Sequence, residues 1–327
     1  QDLPEDVRTF ARRWLLDLIG VAAGGSRFDL SRIIRDHAAD HFGAGRHGAR
    51  MLFDGRLVSP AGAALAGGMT IDALDGHDGH KLTKGHVGCG ILPTLLAFCD
   101  AGQERSGEEF LTALVLGYEI GSRAGIALHR TASDYHTSGA WIAVACAALG
   151  ARALGLDAAK TREAVGIAEY HGPRSQMMRC IDHPTMLKDG SGWGAMTGVS
   201  AAYLAADGFT GAPALTVEND DVADLWSDLG QRWCIFEQYY KPFPVCRWAQ
   251  PPVRAILDLR AEHGVSADDV DHIEITTFHQ SKRLASRQPS STEEAQYSTS
   301  FPAAVAMVRG VIGPEDITGV SLREPDI

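Results

Sequence analysis

The densest run of chemistry-bearing side chains is Asp75-Gly76-His77-Asp78-Gly79-His80-Lys81-Leu82-Thr83-Lys84-Gly85-His86, set between the apolar stretches Ala61–Leu74 and Ile91–Phe98. A polar loop inserted between two core helices delivers its side chains to a cavity mouth, where carboxylate and imidazole tune each other for proton transfer. The glycines let such a loop fold tightly. The same side chains could ligate a metal, and a solvated loop is the plainest alternative. The run contains no H-E-x-x-H, and its spacing sets no ligands on one helical face. The metal reading is thus the weaker one, and Asp75, Asp78 and His86 are read as acid–base residues.

Other candidates lie farther along. His136, in Tyr135-His136-Thr137-Ser138-Gly139, precedes an apolar helix, where it faces an anion at the helix N-terminus or merely caps it. Lys188, in Met186-Leu187-Lys188-Asp189-Gly190, also precedes an apolar helix. The helix dipole disfavours a cation there, so Lys188 is either a surface residue or has an anionic partner. In Tyr239-Tyr240-Lys241-Pro242-Phe243-Pro244-Val245-Cys246-Arg247-Trp248, two prolines stiffen an extended segment that holds Lys241 and Arg247, unless it is a rigid linker with exposed charges. The 30 Lys and Arg against 41 Asp and Glu give a net charge of −11, which excludes an extended nucleic-acid footprint. An anionic substrate must then be drawn in by local cations. Lys188 and Lys241, 53 positions apart, are predicted to share one anion pocket. Replacing either with Met is expected to leave unliganded stability unchanged or higher by relieving repulsion between like charges.

These side chains need elements to position them. With 45% apolar and 22% charged residues among 327, the chain can bury a large core. Its six cysteines contain no C-x-x-C pair and read as reduced structural thiols, with a cytoplasmic location expected. The charge-free stretches Leu57–Ile71 and Thr137–Ala151 fall short of the about 18 residues that span a membrane, so no membrane partner is expected. The chain opens at Gln1 without an initiator Met or a leader, and is expected to begin inside a longer natural chain. Gly43-x-Gly45 lacks the context of a dinucleotide fingerprint. Helical periodicity or apolar runs mark Glu5–Ala23, Phe110–Leu128 behind a Ser106 capping box, Ser138–Leu154, a helix capped by Asp157 through Ala168, and Trp193–Ala206. After about residue 240 the texture changes. Pro251-Pro252 opens a helix ending before Gly264, Val270–Phe278 alternates as a strand, Ser286–Gln296 reads as a loop and Pro302–Arg309 as a helix. The predicted fold is mainly α, with a large all-helical domain over 1–240 and a smaller α/β lid domain, incomplete, over 241–327.

Taken in order, Ala61–Leu74, Asp75 through His86-Val87-Gly88-Cys89-Gly90-Ile91-Leu92-Pro93, Tyr135-His136-Thr137-Ser138-Gly139, Leu187-Lys188, Gly208-Phe209-Thr210-Gly211-Ala212, Lys241 through Arg247 and Ala295-Gln296-Tyr297-Ser298 resemble the MmgE/PrpD family. That family includes 2-methylcitrate dehydratase, cis-aconitate decarboxylase and iminodisuccinate epimerase. The resemblance implies a homodimer, with a metal-free site for a small carboxylate between a helical domain and a lid. By similarity, Asp75, His86, His136, Lys188 and Lys241 occupy pocket positions; Lys241, Cys246 and Arg247 are read as substrate-binding residues, Arg247 for its charge. Three departures stand out: the loop is one residue longer and richer in His, Val87 follows His86 where Pro is common, and Cys246 stands where decarboxylase members have His. The last argues against decarboxylation. Family chains also continue well past Ile327, so a truncated chain is expected. The implied activity is a cofactor-independent dehydratase or hydratase acting on a di- or tricarboxylate of the 2-methylcitrate type. Its rivals are an epimerase, a metallohydrolase using the His/Asp loop, and a non-catalytic dimeric scaffold.

Overall fold

Helices dominate the computed structural model, which describes residues 3–102, 105–284 and 288–327. In chain order they are α1 (Glu5–Gly25), α2 (Asp29–His41), α3 (Pro60–Asp72), α4 (Gly88–Asp100), α5 (Gly107–Thr131), α6 (Gly139–Ala153) and α7 (Ala158–His171). There follow α8 (Met177–Asp182), α9 (Ser191–Ala206), α10 (Leu215–Glu218), α11 (Gln250–His263), α12 (His279–Lys282), α13 (Thr292–Gln296) and α14 (Ser300–Arg309). Two short antiparallel pairs join β1 (Ala49–Arg50) to β2 (Leu57–Val58) and β3 (Gly79–His80) to β4 (Gln238–Tyr239). The fold is mainly α. Side-chain caps start α3, α5 and α7: Ser59 accepts from the Gly62 amide at 3.2 Å, Ser106 from Glu109 at 3.1 Å and Asp157 from Lys160 at 2.8 Å. Each such cap stabilises its helix by about 1 kcal/mol.

Two compact units form. Unit 1 comprises Gln1–Ala73, His77–Met177 and Asp189–Tyr240; unit 2 comprises Leu74–Gly76, Met178–Lys188 and Lys241–Ile327.

In unit 1, α6 is apolar on every side and packs against α9, α5, α7 and α4. Its apolar faces are thus covered within the unit and call for no partner chain. Close approach sets where α9 begins. A Cβ added to Gly68 of α3 would lie 2.6 Å from the Cα of Gly192, and one on Gly194 would lie 2.3 Å from the carbonyl oxygen of Gly139. Only glycine permits these backbone contacts. By length and hydropathy α5 could cross a membrane, yet it is mostly buried among its neighbours. Inside it Arg123 pairs with Glu119 at 3.4 Å and donates to the Arg232 carbonyl at 3.0 Å. Such a helix is the core of a folded domain. Along α9, by contrast, Trp193 and Leu204 stay exposed, with Met196 and Ser200 half-buried between them.

Unit 2 is organised by α11 packed on α14, and α11 stops at Gly264 in the left-handed region, φ 65°. Two expectations fail here. Val270–Phe278 forms no strand: the segment enters extended at Val270, φ −113° and ψ 119°, but none of the described residues pairs with it. Alternation prepares a strand, whereas a ladder needs a second one. The segment instead anchors through Phe278, whose ring meets Trp248 edge-on at 5.1 Å. The predicted loop Ser286–Gln296 contains α13, started by Ser291 accepting from the Glu294 amide at 3.1 Å; Ser286 and Arg287 lie outside the described residues.

Candidate active site

In unit 1, two buried imidazoles, His77 and His86, lie against each other, tilted by 30° with ring centroids 4.0 Å apart. Each faces a carboxylate: His77 Nε2 is 3.2 Å from Asp72 Oδ1, and His86 Nε2 is 3.5 Å from Asp189 Oδ2. Asp72 ends α3 and also accepts from the Ser191 amide at the start of α9, 3.4 Å away. Asp189 accepts from Ser138 Oγ at 2.7 Å, and Ser138 in turn accepts from the His86 amide at 3.0 Å. His86 Nδ1 lies 2.5 Å from the carbonyl oxygen of Asp78. A carbonyl can only accept, so Nδ1 carries the proton, and in the neutral ring Nε2 holds the lone pair. In that tautomer His86 Nε2 can accept a proton, and Asp189 lies within ion-pairing distance of it.

Asp78 holds His86 through its backbone carbonyl and the start of α4 through its side chain. Its carboxylate Oδ2 accepts from the amides of Val87 and Gly88, at 3.3 and 3.2 Å, at the positive end of α4. The density of carboxylates shows in their neighbours. Burial, then Asp72 and Asp78, push the Cys89 thiol well above its ordinary pKa, and burial and Asp78 do the same to Tyr118. The loop glycines serve close packing rather than unusual dihedrals. A Cβ on Gly79 would lie 2.4 Å from the Tyr239 ring and one on Gly85 2.5 Å from Ser138 Oγ, while Lys84 carries the positive φ, 55°.

His136 stands in a second imidazole group of unit 1. Its Nδ1 donates to the Asp134 carbonyl at 2.8 Å, its amide donates to His129 Nε2 at 3.2 Å, and the two rings are 6.4 Å apart. Burial, helped by the charge of Lys84, pulls the pKa of His129 down to about 4, so that ring is neutral at pH 7.

In unit 2, Lys188 and Lys241 meet at one carboxylate. Both are buried; Lys241 Nζ is hydrogen-bonded to Asp75 Oδ1, and Lys188 Nζ lies 3.9 Å from Asp75 Oδ2. Lys188 also donates to Gln296 Oε1 and lies 4.7 Å from the centroid of the Tyr297 ring. Asp75 and Lys188 both adopt left-handed backbone, φ 53° and 48°, which is costly for residues with a Cβ. The pair of lysines is thus no pair of repelling cations: Asp75 neutralises one of them. The expectation that Lys→Met would leave stability unchanged or raise it is corrected accordingly, because it would strip a buried carboxylate of a partner. Cys246 is buried, with its amide donating to the Gln296 carbonyl at 2.8 Å, whereas Arg247 is exposed at the start of a 3₁₀ turn.

The MmgE/PrpD N-terminal domain model matches residues 1–231, and the MmgE/PrpD C-terminal domain model matches residues 243–327. The chain belongs to the MmgE/PrpD family. Among curated members, a cis-aconitate decarboxylase-like protein, oryM, of Aspergillus oryzae is 29% identical over 64% of this chain and 45% of its own length. A cis-aconitate decarboxylase of Aspergillus terreus is 24% identical over 94% of this chain and 69% of its own length. The chain thus spans under half the length of the first relative and about two-thirds of the second.

Within this MmgE/PrpD chain, the predicted residues fall into three groups: His86 and Asp78 in the first imidazole cluster, His136 in the second, and Asp75, Lys188 and Lys241 in the charged cluster. The sequence reading passed over Asp72, His77 and Asp189 as site residues. Asp72 did leave a signal. It is an acid closing a helix that is otherwise apolar, and a carboxylate buried there needs a partner.

Proposed function

We propose that this protein is a cofactor-independent lyase that dehydrates or hydrates a small di- or tricarboxylate of the 2-methylcitrate type, moving a proton at the carbon beside a carboxylate. Such a carbon acid is weak. Catalysis needs cations to neutralise the carboxylate and a base within about 3 Å of the proton. The observation that carries the reading is His86, whose Nδ1 proton is committed to the Asp78 carbonyl and whose Nε2 has Asp189 at 3.5 Å. Lys188 and Lys241 would bind the substrate carboxylate and stabilise the charge that builds on it as the proton leaves, with Asp75 yielding part of its hold on them. The two sets interleave along the sequence: Asp75 precedes His77 by two positions, and Lys188 is followed by Asp189.

Dehydration also needs an acid for the departing hydroxyl. His77, backed by Asp72, and His136 are the candidates for that role. If His136 delivered a proton to the opposite face of the same carbon, the centre would invert, which makes epimerisation the second reading; His77 and His86, with ring centroids 4.0 Å apart, leave no room for a carbon between them. The relatives are named for decarboxylation, and Cys246 at the position of the decarboxylases' His argues for an outcome different from theirs. Self-association as a homodimer is part of the proposal, with the stripe of α9 bearing Trp193 and Leu204 as the contact.

The test is incubation of the full-length protein with methylcitrate, citrate, cis-aconitate and tartrate- or aspartate-like acids, with and without a chelator, followed by proton NMR. Chelator-resistant gain or loss of water supports the lyase. Activity abolished by chelator and restored by metal would favour a metallohydrolase, and carbon dioxide release from cis-aconitate would move this protein to its relatives' chemistry.

A further inference from the structure

His80 belongs to the loop of candidate residues yet makes a different set of bonds. Its Nδ1 accepts the Thr83 amide N–H at 3.2 Å, so that nitrogen carries no proton; Nε2 then carries it and donates to Glu237 Oε2 at 3.1 Å. The ring is neutral and held in one tautomer. Burial pulls its pKa down despite the opposing pull of Glu237, in keeping with that state. A metal could bind His80 only by breaking one of these two bonds.

The backbone around His80 ends on His86. The His80 amide donates to the Gly85 carbonyl at 2.9 Å, and Thr83 Oγ1 donates to the His80 carbonyl at 3.2 Å. His86 follows directly and returns its Nδ1 proton to Asp78, two residues before His80. On the other side, Arg232 grips Glu237 through Nε and Nη2 at 2.7 and 2.9 Å, and the Arg232 carbonyl accepts from the buried Arg123 of α5 at 3.0 Å. A continuous set of bonds therefore runs from α5 through Arg232, Glu237 and His80 to the hairpin that ends on the base.

We propose that His80 is a positioning residue whose neutral ring latches the hairpin Asp78–His86 to Glu237 and so fixes where His86 Nε2 points. The proposal rests on the reading of His86 as the proton acceptor. Two substitutions separate the two bonds. Gln at position 80 can place its amide nitrogen near Nε2 and keep the Glu237 bond, while Asn can place its oxygen near Nδ1 and keep the Thr83 bond.

Turnover, KM, thermal stability and the ring ¹⁵N signals of His86 would be measured for His80→Ala, His80→Gln and His80→Asn in the full chain. His80→Ala should lower kcat about 100-fold, the scale of a misplacement near 1 Å, with KM changed less than about twofold. Its His86 nitrogens should change from a protonated Nδ1 to an average over both tautomers, and His80→Gln should recover most of both effects. Unchanged kcat and His86 signals in His80→Ala would overturn the proposal, as would equal losses in all three variants that track thermal stability alone. The ¹⁵N readout needs no turnover. A His86 signal that responds as expected in a protein inert toward every carboxylate would uphold the latch and sink the lyase reading instead.

Discussion

In unit 1 the candidate groups are anchored to backbone, even where a carboxylate stands beside them: His86 on the Asp78 carbonyl, and the Asp78 carboxylate on the first amides of α4. In unit 2 the groups are held by one another's charge, with Asp75 touching Lys188 and Lys241 and with left-handed backbone at Asp75 and Lys188. The contrast suits the work proposed for each cluster. A proton carrier needs a defined tautomer, which a carbonyl acceptor imposes without fixing the ring's charge. A carboxylate holder needs net positive charge away from water, and buried cations persist only with counter-charges and good geometry. The strained residues, costing on the order of 1–3 kcal/mol each, are compatible with a cluster whose ion pairs over-determine the backbone.

The sharpest break of that contrast is Lys241→Met. In a cluster held by charge, it leaves Asp75 short of a cation and should destabilise the protein by about 3–5 kcal/mol in denaturant melts. Adding Asp75→Asn should restore most of that loss, whereas a Lys241→Met protein as stable as wild type would contradict the charge-held picture. Where Lys241→Met or Lys188→Met folds, kcat/KM should fall by about 2–4 kcal/mol, with KM rising and turnover falling together.

His136→Ala comes next. If the second imidazole group contributes a proton carrier, turnover drops by about 100-fold with little change in melting temperature. Retention of near-normal turnover would assign the second proton to His77 instead.

A smaller effect concerns pH. Burial lowers the His129 pKa to about 4, below its unfolded value of about 6.5. Between those values the unfolded chain binds a proton that the native ring refuses, so stability falls as pH drops from about 6.5 to about 4 and recovers as pH rises. His129→Gln, which can still accept from the His136 amide, should flatten that part of the melting-temperature profile; an identical slope would remove His129 as its source. The smallest change is expected from Leu204→Asp on the exposed stripe of α9, which should leave the fold intact and shift sedimentation from dimer toward monomer.

How much of this was legible in the sequence depended on range. Local signals carried α5, α6 and α7 well: the Ser106 and Asp157 caps and the uninterrupted apolar run of α6 are written in neighbouring residues. The co-location of Lys188 and Lys241 was also reachable, because the dipole argument already required an anion beside Lys188. The identity of that anion, Asp75, was not, since its pairing depends on left-handed backbone at two residues with side chains. The Asp72–His77 contact was hidden for another reason. Asp72 closes an apolar helix and His77 lies five positions on in the following loop, and only the fold shows that they face each other. Val270–Phe278 marks the opposite failure, where a period of two was real but no partner supplied the ladder.

The central claim is that His86 takes a proton from the carbon beside a bound carboxylate. It is tested most directly by following solvent deuterium into that position by proton NMR in D2O, with wild type and His86→Ala side by side and carboxylate binding monitored in both. Wild type should exchange the proton, and His86→Ala should bind the acid yet exchange it about 100-fold or more slowly. Exchange at the wild-type rate in His86→Ala would contradict the account.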